Sequence, residues 1–382
     1  MIDKPLTRRQ MIGGLAVATP RAARGWSACG GDGDSAAATT AGHDHAAMAA
    51  STVDPGPEVA PREPHTTFPA AAPPRSTQRV HKIEFEVDEH VREIAPGRTM
   101  LAWTFNIPGE VGRVPGPVIR VTEGDRIDFT LRNTGTLPHS MDFHAAKISW
   151  SRHYQPVAVG EEFSFSWTAK VPGVFMYHCG VEPVLLHVAQ GQHGMLIVDP
   201  ADRSLLPPAR EFALCQTDLY PGANGGVSDM NRLAVGEPEF VVFNGYANQY
   251  TGDNALKIEK GERVRVFVQN AGPSRWSAFH VIGALFDRVF NEGIYKENLT
   301  RGSQTLNLAP SQGSVVEFTV EEEGSYPFVT HDFHDHAKGA FGLFTTFGEK
   351  TGCPATSRRA AGGGTSAPAH RDVLLLVHNS LS

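Results

Sequence analysis

His178 and Cys179 are bonded neighbours in the stretch GVFMYHCG, with further nitrogen donors on either side: His139 and His144 in LPHSMDFH, and His187 in LLHVAQGQHG. A soft thiolate with two imidazoles, here His139, Cys179 and His187, is the donor set of a blue-copper electron-transfer site, which takes a weak fourth ligand just beyond the second histidine. His144 and His178 would make half of a second, all-histidine site. Side chains alternate between the two faces of a strand, so His178 and Cys179 can each serve a different metal across one short covalent path.

These residues need a rigid frame. The 382 residues allow about two domains plus tails. Strand-like alternation begins with Ile83, Phe85 and Val87 and continues through RTMLAWTFN, RIDFTLRN (Ile127, Phe129 and Leu131 on one face), EEFSFSWTA, GVFMYH and GMLIVDP. A second set follows the Pro-containing joint DPADRSLLPPAR. VTEGDRIDFTLRNTG and IEKGERVRVFVQNAG align without gaps at an offset of 137 residues, placing Gly124 on Gly261 and Asn133 on Asn270. That is an internal duplication on the domain scale. The expectation is an all-β chain of two tandem sandwich domains, 79–203 and 204–348.

The rest of the chain carries less. Net charge is −7, and no basic block follows the first few residues, so a nucleic-acid surface has no support. Residues 1–34 contain twin arginines, Arg8 and Arg9, before a short apolar run. This looks like a Tat-type export signal, with lipid attachment at Cys29 as an alternative, and implies a periplasmic or cell-surface protein. Residues 35–78 are Ala-, Pro- and Thr-rich and are expected to be a flexible tether in which His43, His45 and Met48 carry no function. The tail 349–382 has no functional reading. Of the four cysteines only Cys179 has chemically suggestive neighbours; Cys215 is expected in the core, and His153 and His193 at the surface.

The motifs PGPVIRVTEGD, PHSMDFHAA, PGVFMYHCG, SAFHVIG and YPFVTHDF together resemble the copper-containing nitrite reductases, over roughly Val80 to Gly348. That resemblance implies two cupredoxin-like Greek-key domains of the multicopper oxidase superfamily. It implies type 1 copper on His139, Cys179 and His187, and type 2 copper on His144, His178 and His331. It also puts Asp142 and His280 on the two proton-handling positions. The implied assembly is a homotrimer whose second domain lends His331 to a neighbour, fed by a small cupredoxin or cytochrome c donor. Nitrite would leave as nitric oxide after taking one electron and two protons. His331 is preferred over His334 and His336, both expected in solvent, because it ends the strand from Gly324 as His178 ends the one from Gly173. One position departs from the family: Gln192 stands where the weak axial methionine is usual, a harder donor that should lower the reduction potential, while Met195 belongs to a core strand.

Two other readings compete. A small laccase needs eight histidines in HxH pairs, including an HCH, for its three-copper cluster; this chain reads His178, Cys179, Gly180, and four residues separate His139 from His144. A non-catalytic copper carrier would not need Asp142, His280 and His331 together.

Overall fold

The computed structural model describes residues 54–293, 295 and 299–346. The export signal, Cys29 and the tail from 349 lie outside the described residues. The first set of strands is β1 (Val80–Ala95), β2 (Arg98–Asn106), β3 (Ile119–Thr122), β4 (Arg126–Arg132), β5 (Asp142–Phe143), β6 (Glu162–Thr168), β7 (Gly173–His178) and β8 (His193–Asp199). They form two four-stranded sheets, ordered β2-β1-β4-β6 and β3-β8-β7-β5. β4 shows why: Ile127, Phe129 and Leu131 are buried while Arg126 and Arg132 at its ends are exposed, as its period of two requires. Phe129 fills the gap between the sheets, with the rings of Phe85, Phe143 and Phe165 centred 5.7, 4.9 and 5.5 Å away.

The second set repeats the plan with β9 (Arg210–Leu219), β10 (Phe240–Phe243), β11 (Leu256–Lys257), β12 (Val264–Gly272), β13 (Ser277–Val281), β14 (Arg288–Asn291), β15 (Leu299–Thr300), β16 (Thr305–Leu308), β17 (Gly313–Phe318), β18 (Ser325–Thr330) and β19 (Phe341–Thr345). Its sheets are β10-β9-β12-β17-β14-β15 and β11-β19-β18-β13-β16. Four short helices punctuate the loops: α1 (Trp150–His153), α2 (Val184–Ala189), α3 (Met230–Val235) and α4 (Phe333–His336).

The internal repeat extends to hydrogen bonding. β4 lies parallel to β1 and antiparallel to β6, as β12 lies parallel to β9 and antiparallel to β17. Gly124 and Gly261 both turn the chain at positive φ, +88° and +75°. Asn133 donates to the carbonyls of Leu137 and Val157 and accepts from Gly135 N–H; Asn270 donates to those of Arg275 and Leu308 and accepts from Gly272 N–H. The two asparagines are the same buried clasp, used once per domain.

The domains meet along β7 and β8. Val174, Met176, Met195 and Ile197 pack against Ala213, Cys215, Phe267, Phe290 and Val315 of the second domain. Beside this apolar seam, Arg120 binds Asp199 at 2.8 Å and Glu211 at 2.7 Å, and Arg265 binds Glu317 at 2.6 Å and also reaches Glu211. Such buried pairs contribute less to net stability than to fixing geometry, because desolvation offsets most of their attraction.

Of the segment 35–78 expected to be a tether, the described part, residues 54–78, is not one. From Asp54 onward the chain is laid along the folded unit. β10 pairs only with the Gln216–Leu219 end of β9, leaving backbone groups of Glu211 and Ala213 open. Ala72 N–H donates to the first and the carbonyl of Ala70 accepts from the second, so the segment adds strand-like pairing where partners were missing. His193 is likewise not at the surface: it is fully buried at the seam, its Nε2 3.0 Å from Thr217 Oγ1, because β8 is covered on both sides. Cys215 is in the core, as expected. No helix of the described residues is long and apolar enough to cross a membrane.

Replacing Phe129 by Ala removes the ring that three others enclose. The expected loss is about 3–5 kcal/mol, read as a lowered denaturant midpoint for the first domain.

Candidate metal centres

The end of β7 decides where the donors go. Val174 and Met176 face the second domain, whereas Phe175 and Tyr177 face the first domain's own core. Continuing the alternation puts His178 on the first face and Cys179 on the second, where it joins that core.

Around Cys179, three loops converge. His139 is held by a two-way backbone bridge with Val157, and His187 sits in the last turn of α2. Gln192 lies on the return to β8, its N–H donating to the His187 carbonyl while its own carbonyl accepts from Cys179 N–H. The Sγ of Cys179 is 3.3 Å from Nδ1 of His187 and 3.9 Å from Nδ1 of His139. Oε1 of Gln192 stands 3.0 Å from the same His187 nitrogen. Met195 packs in the interdomain seam instead.

All four donors are buried. Burial, helped by the neighbouring His187, pulls His139 down to about 4, and burial also lowers His187, so both imidazoles are neutral with lone pairs available at neutral pH. Burial pushes the Cys179 thiol up, so a cation has to displace its proton to bind. The backbone N–H of Ser140 points at the sulfur from 3.3 Å, ready to stabilise a thiolate. Neutral imidazoles, a buried sulfur and an amide oxygen crowded together without water are a poor set for one another and a good one for a soft transition metal.

Two flanking residues were not foreseen. Trp103 stands edge-on to both imidazoles, its ring centre 4.9 Å from His187 and 5.9 Å from His139. Glu89, its register partner across β1 and β2, places Oε1 3.7 Å from Nε2 of His139 and is itself held by Thr136 N–H and Oγ. Neither has a sequence signal, since both lie well upstream of the ligand loops and arrive only through strand pairing.

On the other face, Asp142, His144 and His178 form a second cluster with donor atoms within 4.8 Å of one another. β5 pairs Asp142 directly opposite His178. The Nε2 atoms of His144 and His178 approach to 3.0 Å, and Asp142 Oδ2 is 4.0 Å from Nε2 of His178. Nδ1 of His178 is 2.7 Å from the carbonyl of Cys179, which turns its Nε2 outward.

His331 belongs to neither cluster among the described residues. It follows β18, its N–H bonded to the Ala278 carbonyl, and its ring lies 5.4 Å from that of His280 on β13. His334 is exposed, but His336 is not free in solvent as expected: its ring leans on Phe333 and Phe341, centred 5.7 and 5.4 Å away.

A family model described as multicopper oxidase matches residues 90–203. The copper-containing nitrite reductase of Neisseria gonorrhoeae is 38% identical over 273 residues, covering 68% of this chain and 67% of that protein. That of Alcaligenes xylosoxydans xylosoxydans is 31% identical over 296 residues, covering 70% and 85%. The solved copper nitrite reductase from Nitrosomonas europaea superposes with a TM-score of 0.66 at 34% identity, over 71% of this chain and 95% of that one. The chain belongs to the copper-containing nitrite reductases. Its cofactor is copper, and the donor set around Cys179 fits that metal.

Within this family the glutamine is the residue to test. Gln192→Met should raise the reduction potential of the visible copper and shift its absorption, with each 59 mV changing a one-electron equilibrium about tenfold. Response to Met195→Leu instead, with Gln192→Met silent, would assign the axial position to Met195.

Proposed function

We propose that the protein reduces nitrite by one electron to nitric oxide, with a type 1 copper on His139, Cys179, His187 and Gln192. A type 2 copper would sit on His144, His178 and His331, the last supplied by another copy of the chain in a homotrimer. The observation that carries this reading is the bonded pair His178 and Cys179, whose side chains enter two separate donor clusters on opposite faces of β7. The path from the Cys179 sulfur along one peptide to the His178 imidazole joins the two donor sets. When bound, the coppers supply the electron and Lewis acidity at a nitrite oxygen.

The protons fall to side chains. Reduction of nitrite to nitric oxide and water consumes two. Asp142 lines the opening shared by His144 and His178 and is partly open to solvent, suited to holding a proton beside the substrate's oxygen. Nδ1 of His280 lies 2.5 Å from the carbonyl of Gln304; donating there fixes the tautomer and leaves Nε2 to take up and release a proton. Because His280 packs on His331, a copy that brings His331 to His144 and His178 brings His280 with it. The electron donor would be a small cupredoxin or cytochrome c, and export before use is supported by the twin arginines near the start of the chain.

The deciding experiment is anaerobic nitrite turnover by copper-loaded protein with nitric oxide detection, alongside oxygen uptake and phenol oxidation. Oxygen consumption without nitric oxide would replace this reading with a laccase-like one. His331→Ala should lose type 2 copper and turnover yet keep the visible thiolate band, and full activity of a monomer at high dilution would refute the shared site.

Asp142→Asn keeps the shape and both donor clusters but removes the ionisable group. Steady-state turnover should fall about 10²-fold or more while reduction of the visible copper proceeds at its usual rate.

A further inference from the structure

A cavity of about 320 Å³ lies away from both donor clusters, walled by Glu63 to Thr66, by His90 to Glu93 of β1, and by the Glu110 to Arg113 loop. Two guanidinium groups, Arg92 and Arg113, line it. Among the described residues neither is ion-paired with a carboxylate; Arg92 donates only to the Gly112 carbonyl, at 2.6 Å. A partly buried guanidinium without a close ion pair costs free energy, a second one beside it adds repulsion, and Glu63 offsets this only from a distance. Both effects are visible in Arg92, which loss of hydration and then Arg113 push down to about 10.

Two imidazoles complete the lining. His90 is buried, its Nδ1 3.1 Å from Asp88, a carboxylate also bound to Arg62. His65 stacks on Tyr246 at 3.6 Å with Nδ1 unpartnered. Burial is the first cause that pushes both down to about 4, so each is neutral with a single N–H; that of His90 is directed to the Asp88 carboxylate, which leaves His65 as the imidazole donor to the cavity. Three carboxylates of the lining offset this in part. Glu63 and Glu110 are exposed and screened, and Glu93 is engaged by Gly97 N–H at 3.1 Å.

We propose that this cavity binds a small oxyanion of the phosphate or sulfate class, clamped by Arg92 and Arg113 with His65 as a further donor. Guanidinium forks match the oxygen spacing of such ions, and a tetrahedral anion can meet donors from several directions at once. A metal is the poorer occupant, since His65 and His90 do not converge with a third ligand atom among the described residues. The anion would tie three separate pieces of chain together: the 54–78 segment through His65, β1 through Arg92, and the 110–113 loop through Arg113. It would therefore lock down a segment whose nearby backbone anchor is the Arg62 N–H to Val91 carbonyl bond at 2.9 Å.

The test is calorimetric titration of the copper-loaded full chain with inorganic phosphate, sulfate and a small phosphomonoester, in a buffer free of other oxyanions. The expected result is saturable binding of one anion per chain that slows proteolytic nicking of the 54–78 segment. Each of Arg92→Gln and Arg113→Gln should weaken it at least tenfold while far-UV dichroism and the visible band stay unchanged. Tighter binding of the ester would identify an organic phosphate as the source, and equal binding the free ion. No saturable heat in the parent chain, or undiminished binding in a folded Arg113→Gln variant, would overturn the proposal.

Discussion

The alternation of side chains at the end of β7 is the constraint on which the rest depends. Two adjacent residues cannot share a face of an extended strand, so His178 and Cys179 must look in opposite directions. His139 and His187 gather beside the sulfur, and Asp142 and His144 beside the His178 imidazole. The register with β5 and β8 holds this arrangement: His178 lies between Asp142 on one side and His193 on the other. A slip of one residue would send Cys179 toward the second domain and His178 into the core, and both clusters would be lost together.

The two faces differ in solvent as well as direction. The Cys179 side is closed: imidazoles, sulfur and amide are buried beneath Trp103 and Glu89, and that burial is what keeps the imidazoles neutral. The His178 side opens outward, with His144 exposed and Asp142 partly so. An electron-transfer centre gains from rigidity and low dielectric, whereas a centre that must admit a small anion and protons needs an open position. One strand end serves both because its two faces lie on different boundaries of the fold.

Duplication explains the frame and also its asymmetry. The Asn133 and Asn270 clasps and the matching turns at Gly124 and Gly261 preserve one plan in both domains. The corresponding strand ends have diverged: Tyr177, His178, Cys179 in the first, Val329, Thr330, His331 in the second. Without a sulfur, the second domain supplies His331 and His280 as a packed pair, and its β12 and β17 back the seam behind β7.

The residue types and their spacing were enough to indicate an all-β chain, the internal repeat, and the groupings of His139 with Cys179 and His187 and of His144 with His178, because strand alternation and side-chain chemistry are local properties, whereas His331 stands apart from both groups. Ile127, Phe129 and Leu131 were legible as core for the same reason. What sequence could not show depends on partners distant in the chain. His193 looked superficial until β8 was seen to be covered by the second domain. Glu89 and Trp103 carry no motif and reach the donors around Cys179 only because β1 and β2 pair in one register. Residues 54–78 read as a tether from composition, since they cannot form a core alone; they are ordered by open backbone groups on β9 that belong to another part of the chain. Periodicity is written in neighbouring residues, whereas burial and unpaired donors are properties of surfaces that exist only after the sheets have packed.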